Sequence, residues 1–238
     1  MLVVPVMDLL AGQVVRGIAG DRANYRPIRS SLAASAEPVA VLRALMRLAR
    51  FPALYVADLD AITQAGSDRH FEVLKRLGQA LTECGASEFW LDAGAAEWLP
   101  DLAAALPGIR LVPVLGSESL SGDAAMADCV LSLDYQGGIF LGPPGLDASP
   151  QRWPRRVIVM ELAAVGSRRG PAIDRLQRLT DTANSAGRTD IGFFAAGGVR
   201  DARELDHLAE QGIAGVLLAS SLHDGAIDGE TLRRYAGQ

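Results

Sequence analysis

Lysine is nearly missing from this chain: Lys75 is the single one among 23 basic residues, and the rest are arginine. It falls in a helical pattern away from any strand end, which argues against Schiff-base chemistry, since that needs a desolvated amine beside the substrate. Cysteine is almost as scarce. Cys84 and Cys129 stand apart, in no C-x-x-C or histidine-rich setting, which speaks against metal or redox roles and for a reduced, cytoplasmic protein. The three histidines, His70, His207 and His223, lie in or near helical stretches, so the sequence predicts no metal site, and no cofactor either. No apolar run approaches the roughly 20 residues that would span a bilayer. The apolar opening MLVVPVMDLL has no charged n-region and is broken by Asp8, so it reads as a strand rather than a signal peptide. A net charge of −5 argues against nucleic acid or an anionic membrane as partner.

What remains is a chain of 238 residues, 49% hydrophobic and 21% charged, enough for one large core and a single domain over 1–238. Eight short apolar runs, at 2–7, 53–58, 88–92, 109–115, 129–134, 156–161, 192–196 and 215–219, alternate with amphipathic stretches. The clearest of these are 38–51, 68–84 and 201–212, the last with Asp201 as N-cap and Gly212 as C-cap. This is the pattern of parallel strands joined by crossover helices, and the fold class it predicts is α/β, a single (β/α)8 TIM barrel. The stretch from Asp134 to Arg156 is short and rich in Pro and Gly, so the fifth helix should be shortened or missing, with at most one turn around Gln151–Trp153. The fourth, in SLSGDAAMAD (119–128), should also be short, leaving a flank suited to a homo-oligomer or a partner enzyme.

An internal repeat strengthens the barrel reading. MDLLAGQVVRG (7–17) parallels LDYQGGIFLG (133–142), each with an Asp at a strand end and a Gly four residues later; Asp8 answers to Asp134, 126 positions on. YVADLDAI then parallels IVMELAAV (Asp58 to Glu161), DAGAAE parallels AAGGVR (Gly94 to Gly197), and VLGSESL parallels LLASSLH (Gly116 to Ala219), all at a constant offset of 103. Matched acids, glycines and serines at fixed spacing exceed generic strand–helix similarity. They indicate two half-barrels, approximately 1–127 and 128–238.

Function in such a barrel concentrates at the C-terminal strand ends. Asp8 and Asp134 end strands one and five, on opposite sides of the ring, and suit a general acid and a general base acting on one ligand. The plainer alternative is that each carboxylate accepts N–H bonds in its own loop. Gly197 and Gly198 after strand seven, with Ala219 and Ser220 after strand eight, form the best phosphate site, where backbone N–H groups can close on an anion; a tight turn that needs small residues is the alternative. The symmetric site, from Asp92, Gly94, Gly116 and Ser117, brings negative charge where glycines would help, and would hold the second end of the ligand. Asp58, Glu161 and Arg16 are supporting candidates, with Arg22, Arg26 and Arg168 as further loop arginines.

These motifs, in this order and over nearly the whole chain, resemble the HisA/HisF superfamily of phosphate-binding barrels. VVPVMDLLAGQVVRG, YVADLDA and VLSLDYQGG are similar to its strand-one, strand-two and strand-five signatures. The resemblance implies an Amadori-type isomerase, acting as general acid and base through Asp8 and Asp134, with a small phosphorylated metabolite as partner. Two departures stand out: DAGAAE occupies the place of a glycine cluster, and Met160 and Val165 the places of a Thr and an Asp. GDRANYRPI, LDYQGG and VGSRRG instead resemble a related subgroup of methanogens and one-carbon-using bacteria. That likeness implies a role in making methanofuran or tetrahydromethanopterin rather than histidine. A non-catalytic barrel that binds a phosphometabolite or a partner, and the true histidine-pathway isomerase, are the alternatives.

Overall fold

In a computed structural model of the chain, the apolar runs become eight parallel strands: β1 (Leu2–Leu10), β2 (Ala53–Asp58), β3 (Glu88–Asp92), β4 (Arg110–Gly116), β5 (Val130–Gln136), β6 (Arg156–Glu161), β7 (Gly192–Ala196) and β8 (Gly215–Leu218). Each pairs with the next, and Leu2–Pro5 pair with Gly215–Leu218 to close the ring. The structure describes residues 1–17, 21, 24–64, 66–120, 128–166 and 170–235. The expected fourth helix lies outside these. The helices are α1 (Pro38–Met46), α2 (Leu59–Thr63), α3 (Phe71–Glu83), α4 (Leu99–Ala104), α5 (Ile173–Ser185), α6 (Ala202–Glu210), α7 (Ser220–His223) and α8 (Gly229–Arg233). Among the described residues no helix is long and apolar enough to cross a membrane.

Strand alternation divides the core in two. Within β2, Ala53, Tyr55 and Ala57 point into the barrel, where they meet Trp90, Val112, Val130, Ile158 and Phe194. Leu54 and Val56 point outward, beneath Leu42, Leu74, Leu77 and their neighbours on the helices. At the N-terminal end of the strands Trp90 meets Phe194 edge-on, with centroids 5.1 Å apart. Glu88 accepts from Trp90 Nε1 (2.7 Å) and pairs with Arg156 (2.6 Å), whose guanidinium lies over the Trp90 ring. These groups form the barrel floor.

Local signals set the helix ends. Asp201 caps α6 by accepting from the Arg203 and Glu204 amides, and Gly212 follows the helix at φ +73°. The predicted 38–51 helix stops at Met46, with Phe51 buried in the connection to β2. No full helix follows β5: residues 137–155 hold a strand (Ile139–Leu141) and two single 3₁₀ turns, Leu146–Ala148 and Pro150–Arg152. Leu146 and Trp153 are buried there, Trp153 edge-on to Phe193, so loop side chains cover the wall that a helix would otherwise cover.

Candidate active site

Two short hairpins set the geometry of the mouth. Asp8 pairs with Val15 across a turn formed by Ala11 and Gly12, at φ 49° and 80°. Asp134 pairs with Leu141 across a turn formed by Gly137 and Gly138, at φ 59° and 92°. Two successive residues at positive φ match the twist of the flanking strands, which explains the glycine four residues after each Asp. Each of the paired aspartates is therefore the base of a hairpin rather than part of a loose loop. Both line one cavity of about 380 Å3 at the C-terminal strand ends, together with Tyr55, Asp92, Met160, Val165 and the loops after β7 and β8.

Asp134 is buried, accepting from the Ser132 hydroxyl (2.6 Å) and the Glu118 amide (3.2 Å). Burial pushes its carboxyl up to about 7; Ser132 and the Glu118 amide oppose the rise, and the charges of Asp92 and Glu118 add to it. Asp8 rests against the next segment of its own hairpin: a Cβ on Gly17 would lie 2.9 Å from its Oδ2. Tyr55, which the sequence reading passed over as a core residue, donates to Asp92 Oδ2 (3.4 Å). Burial, then the charges of Asp92, Asp134 and Asp8, hold its phenol well above the ordinary range.

The two anion sites expected from symmetry differ. Gly197, Gly198, Ala219 and Ser220 all line the cavity, and the amides that open α7 have no acceptor within their own helix. Gly197 and Gly198 also satisfy a steric demand, with φ 93° and 84°. A Cβ on Gly198 would run into the Gly170 carbonyl, and one on Gly197 would lie 2.8 Å from that of Glu161. On the opposite side the donors are already engaged. Gly94 N–H goes to Asp92 Oδ1 (3.2 Å), and the Ser117 hydroxyl donates to Leu141 O (2.6 Å) while accepting the Asp134 amide (2.8 Å). A Cβ on Gly116 would lie 3.2 Å from Asp92 Oδ2 and 3.4 Å from Asp134 Oδ2. This side of the mouth therefore presents carboxylates.

The supporting candidates sit outside the cavity lining. Arg16 is ion-paired with Asp224, just after α7, and Arg26 is exposed; Arg22 and Arg168 lie outside the described residues. Glu161 pairs with Arg175 (2.5 Å) and accepts from the Gly137 amide (3.1 Å). Asp58 caps α2 and forms a buried cluster with Asp60 and His70 whose ligand-type atoms lie within 4.8 Å of one another. The sequence reading predicted no metal site because the histidines lie in or near helices, yet His70 converges with two carboxylates. The Ala11 amide, however, points at Asp60 Oδ2 (2.6 Å) and the Gly12 amide at His70 Nε2 (2.8 Å), while His70 Nδ1 faces Asp58 Oδ1 (2.9 Å). Asp60 Oδ2 and His70 Nε2 thus already accept N–H groups, while the buried Asp58 Oδ2 has no hydrogen-bond partner among the described residues.

Comparison with known proteins gives these features a context. Residues 151–228, from the loop before β6 to the start of α8, match the model of a family described as histidine biosynthesis protein. An uncharacterised protein of Methanocaldococcus jannaschii is 25% identical over 238 residues, covering 98% of this chain and 97% of its own. An isomerase of Moorella thermoacetica is 29% identical over 244 residues, covering 94% of each chain, and a Ruegeria isomerase is 28% identical, covering 96% of each. Both isomerases are named for 1-(5-phosphoribosyl)-5-((5-phosphoribosylamino)methylideneamino)imidazole-4-carboxamide. Over residues 151–228 the chain is similar to that family, and over nearly its whole length to the two isomerases. The part that matches the family model contains the β7 and β8 loops, the side of the mouth with amides to offer. The carboxylate-lined side, from Asp92 to Ser117, lies outside that match.

Proposed function

We propose that this HisA/HisF-type barrel is an isomerase that acts on a phosphorylated aminosugar by an Amadori-type rearrangement, with Asp8 and Asp134 carrying the protons. The observation that carries this reading is the pair of equivalent hairpins bringing two aspartates to one cavity, one of them a carboxyl poised near neutrality. In such a rearrangement one acid protonates the sugar ring oxygen as the C1–O bond breaks, one base moves the C2 proton to C1, and the O2 hydroxyl proton leaves as the ketone forms, which restores the acid. Proton transfer between neighbouring atoms needs one acid and one base. Asp134, protonated below about pH 7, suits the acid, which leaves Asp8 as the base.

The phosphate of the substrate would sit on Gly197, Gly198, Ala219 and Ser220. The other end would meet Asp92, with Gly94, Gly116 and Ser117 around it. A phosphate beside Asp92 in a partly desolvated pocket would lose about 1–4 kcal/mol, or one to three decades of affinity. An amine or other cation would gain instead. The finer reading, a step in building a one-carbon carrier rather than histidine, draws on this asymmetry and on the full-length likeness to a methanogen protein. The competing reading draws on the names of the bacterial relatives, whose substrate carries a phosphoribosyl group at each end.

Two experiments test this. Purified protein is screened for turnover of singly phosphorylated aminoaldoses, some bearing a second amine; absence of turnover with any of them would favour a binding role. The gene is also expressed in a bacterium lacking its own histidine-pathway isomerase, on medium without histidine. Robust growth would overturn the singly phosphorylated substrate.

A further inference from the structure

We infer that Asp60 and Glu161 are positioning residues, each gripping the tip of the hairpin whose base carries one of the paired aspartates. The importance assigned to that pair rests on the isomerase reading above; the grip itself is a matter of geometry. Ala11 and Gly137 are the first turn residues of the two hairpins, 126 positions apart like Asp8 and Asp134. Each gives its amide to an acid at the exit of the next strand: Ala11 to Asp60 Oδ2 (2.6 Å), just beyond β2, and Gly137 to Glu161 Oε1 (3.1 Å), the last residue of β6. Each acid is in turn backed by a side chain at the start of the following helix. Arg69, just before α3, pairs with Asp60 (3.5 Å) and Gln64 donates to Asp60 Oδ1 (3.1 Å), while the neighbouring His70 accepts the Gly12 amide at Nε2 and faces Asp58 with Nδ1. Arg175, in the first turn of α5, pairs with Glu161 (2.5 Å) and lies 3.9 Å over the Tyr135 ring.

Folding the turns does not require this. A two-residue turn with both residues at positive φ already suits a hairpin, and surrounding a buried acid with partners costs desolvation. Yet the arrangement occurs twice, with different residue types: Asp60 with Gln64 and Arg69 in one half, Glu161 with Arg175 in the other. What the halves share is the tip being held and the Asp three residues before it. With both tip and base fixed, the intervening backbone cannot rock, and the carboxylate at the base keeps its aim. Misplacement by about 1 Å costs on the order of 100-fold in rate, so such a fixture acts on turnover rather than on binding.

The test compares Glu161→Ala, Glu161→Gln and Asp60→Asn with wild type and with Arg43→Ala, which breaks an exposed ion pair with Glu83. Amide hydrogen exchange is read at Ala11 and Gly137, and kcat and KM on whichever phosphorylated aminoaldose the wild type turns over. Glu161→Ala should speed Gly137 exchange at least about tenfold and lower kcat about 10- to 100-fold, with KM within about twofold. Glu161→Gln and Asp60→Asn keep an acceptor and should recover to within about threefold of wild type, and Arg43→Ala should change nothing. A kcat within about twofold of wild type for Glu161→Ala, or a rise in KM alone, overturns the inference. Should the wild type turn over no such sugar, the isomerase reading fails, and the grip is read from exchange and from the titration of the Asp134 carboxyl. Faster Gly137 exchange with a displaced Asp134 midpoint in Glu161→Ala supports it; both unchanged overturn it.

Discussion

The hydroxyl of Ser117 accepts the backbone amide of Asp134 across 2.8 Å and donates to the carbonyl of Leu141, the residue paired with Asp134 in the hairpin. A side chain that symmetry would assign to an anion is thus spent on the hairpin that carries Asp134. With the Asp92 carboxylate and the Gly94 amide that it engages, this commitment makes the two halves of the mouth chemically different, although the chain repeat relates them.

Asp8→Asn and Asp134→Asn should each lower kcat about 100- to 10,000-fold while circular dichroism at neutral pH stays that of the wild type. The substitution removes the exchangeable proton and keeps the shape. Full turnover in both variants would remove these residues from the chemistry.

The elevated Asp134 carboxyl gives two dependences on pH. Its folded value, about 7, lies above the ordinary 3.8, so the folded protein holds this proton more tightly than the unfolded chain does. Its contribution to stability is therefore complete below about pH 4 and is lost as pH rises through about 7. Asp134→Asn should melt higher than wild type at pH 8, by on the order of 1–4 kcal/mol, with the gap closing toward pH 4. If Asp134 is the acid, wild-type kcat/KM should fall above about pH 7, and that falling limb should vanish in the variant.

Gly198→Ala should cost about 2–4 kcal/mol in a denaturant melt, because φ +84° disfavours any Cβ and the Gly170 carbonyl occupies its place. Gly212→Ala, also at positive φ but with open space around it, should cost only about 1 kcal/mol. Equal costs would show that the close approach to Gly170 contributes nothing.

Asp92→Gly should shift ligand preference rather than abolish binding. Calorimetry with a singly phosphorylated aminosugar should show weaker affinity, and with a doubly phosphorylated sugar stronger affinity, each by about 10- to 100-fold. A parallel loss for both ligands would mean that Asp92 only shapes the loop through Gly94 and Tyr55.

The barrel was legible because each strand is a short apolar run between turn signals; β2, β3, β6 and β7 match the sequence reading to the residue. The repeat located both aspartates and the turn glycines, since Gly12 and Gly138 are demanded by backbone conformation. Helix α5 was harder to see: only Leu176, Leu179 and Ala183 face inward, on an otherwise polar stretch. The cluster around His70 was hidden for another reason. His70 lies 12 residues after Asp58, and only the crossover between β2 and α3 brings them together. Tyr55 looked like core, and it is core on every side except where its hydroxyl meets Asp92. Asp58 and Glu161 end strands as the sequence suggested, yet Glu161 turns to the tip of the second hairpin and Asp58 to α2 and His70.

The floor formed by Trp90, Phe194, Glu88 and Arg156 makes the barrel a blind cup rather than a tube. Whatever enters must leave by the same door, and the frame of that door includes the Arg16–Asp224 pair and the contacts of Ser30 and Ser31 with His223. A product that kept its phosphate on the β7 and β8 loops, beside that frame, would therefore hold back the next substrate until it let go, so its release sets an upper bound on how fast the cup can be refilled.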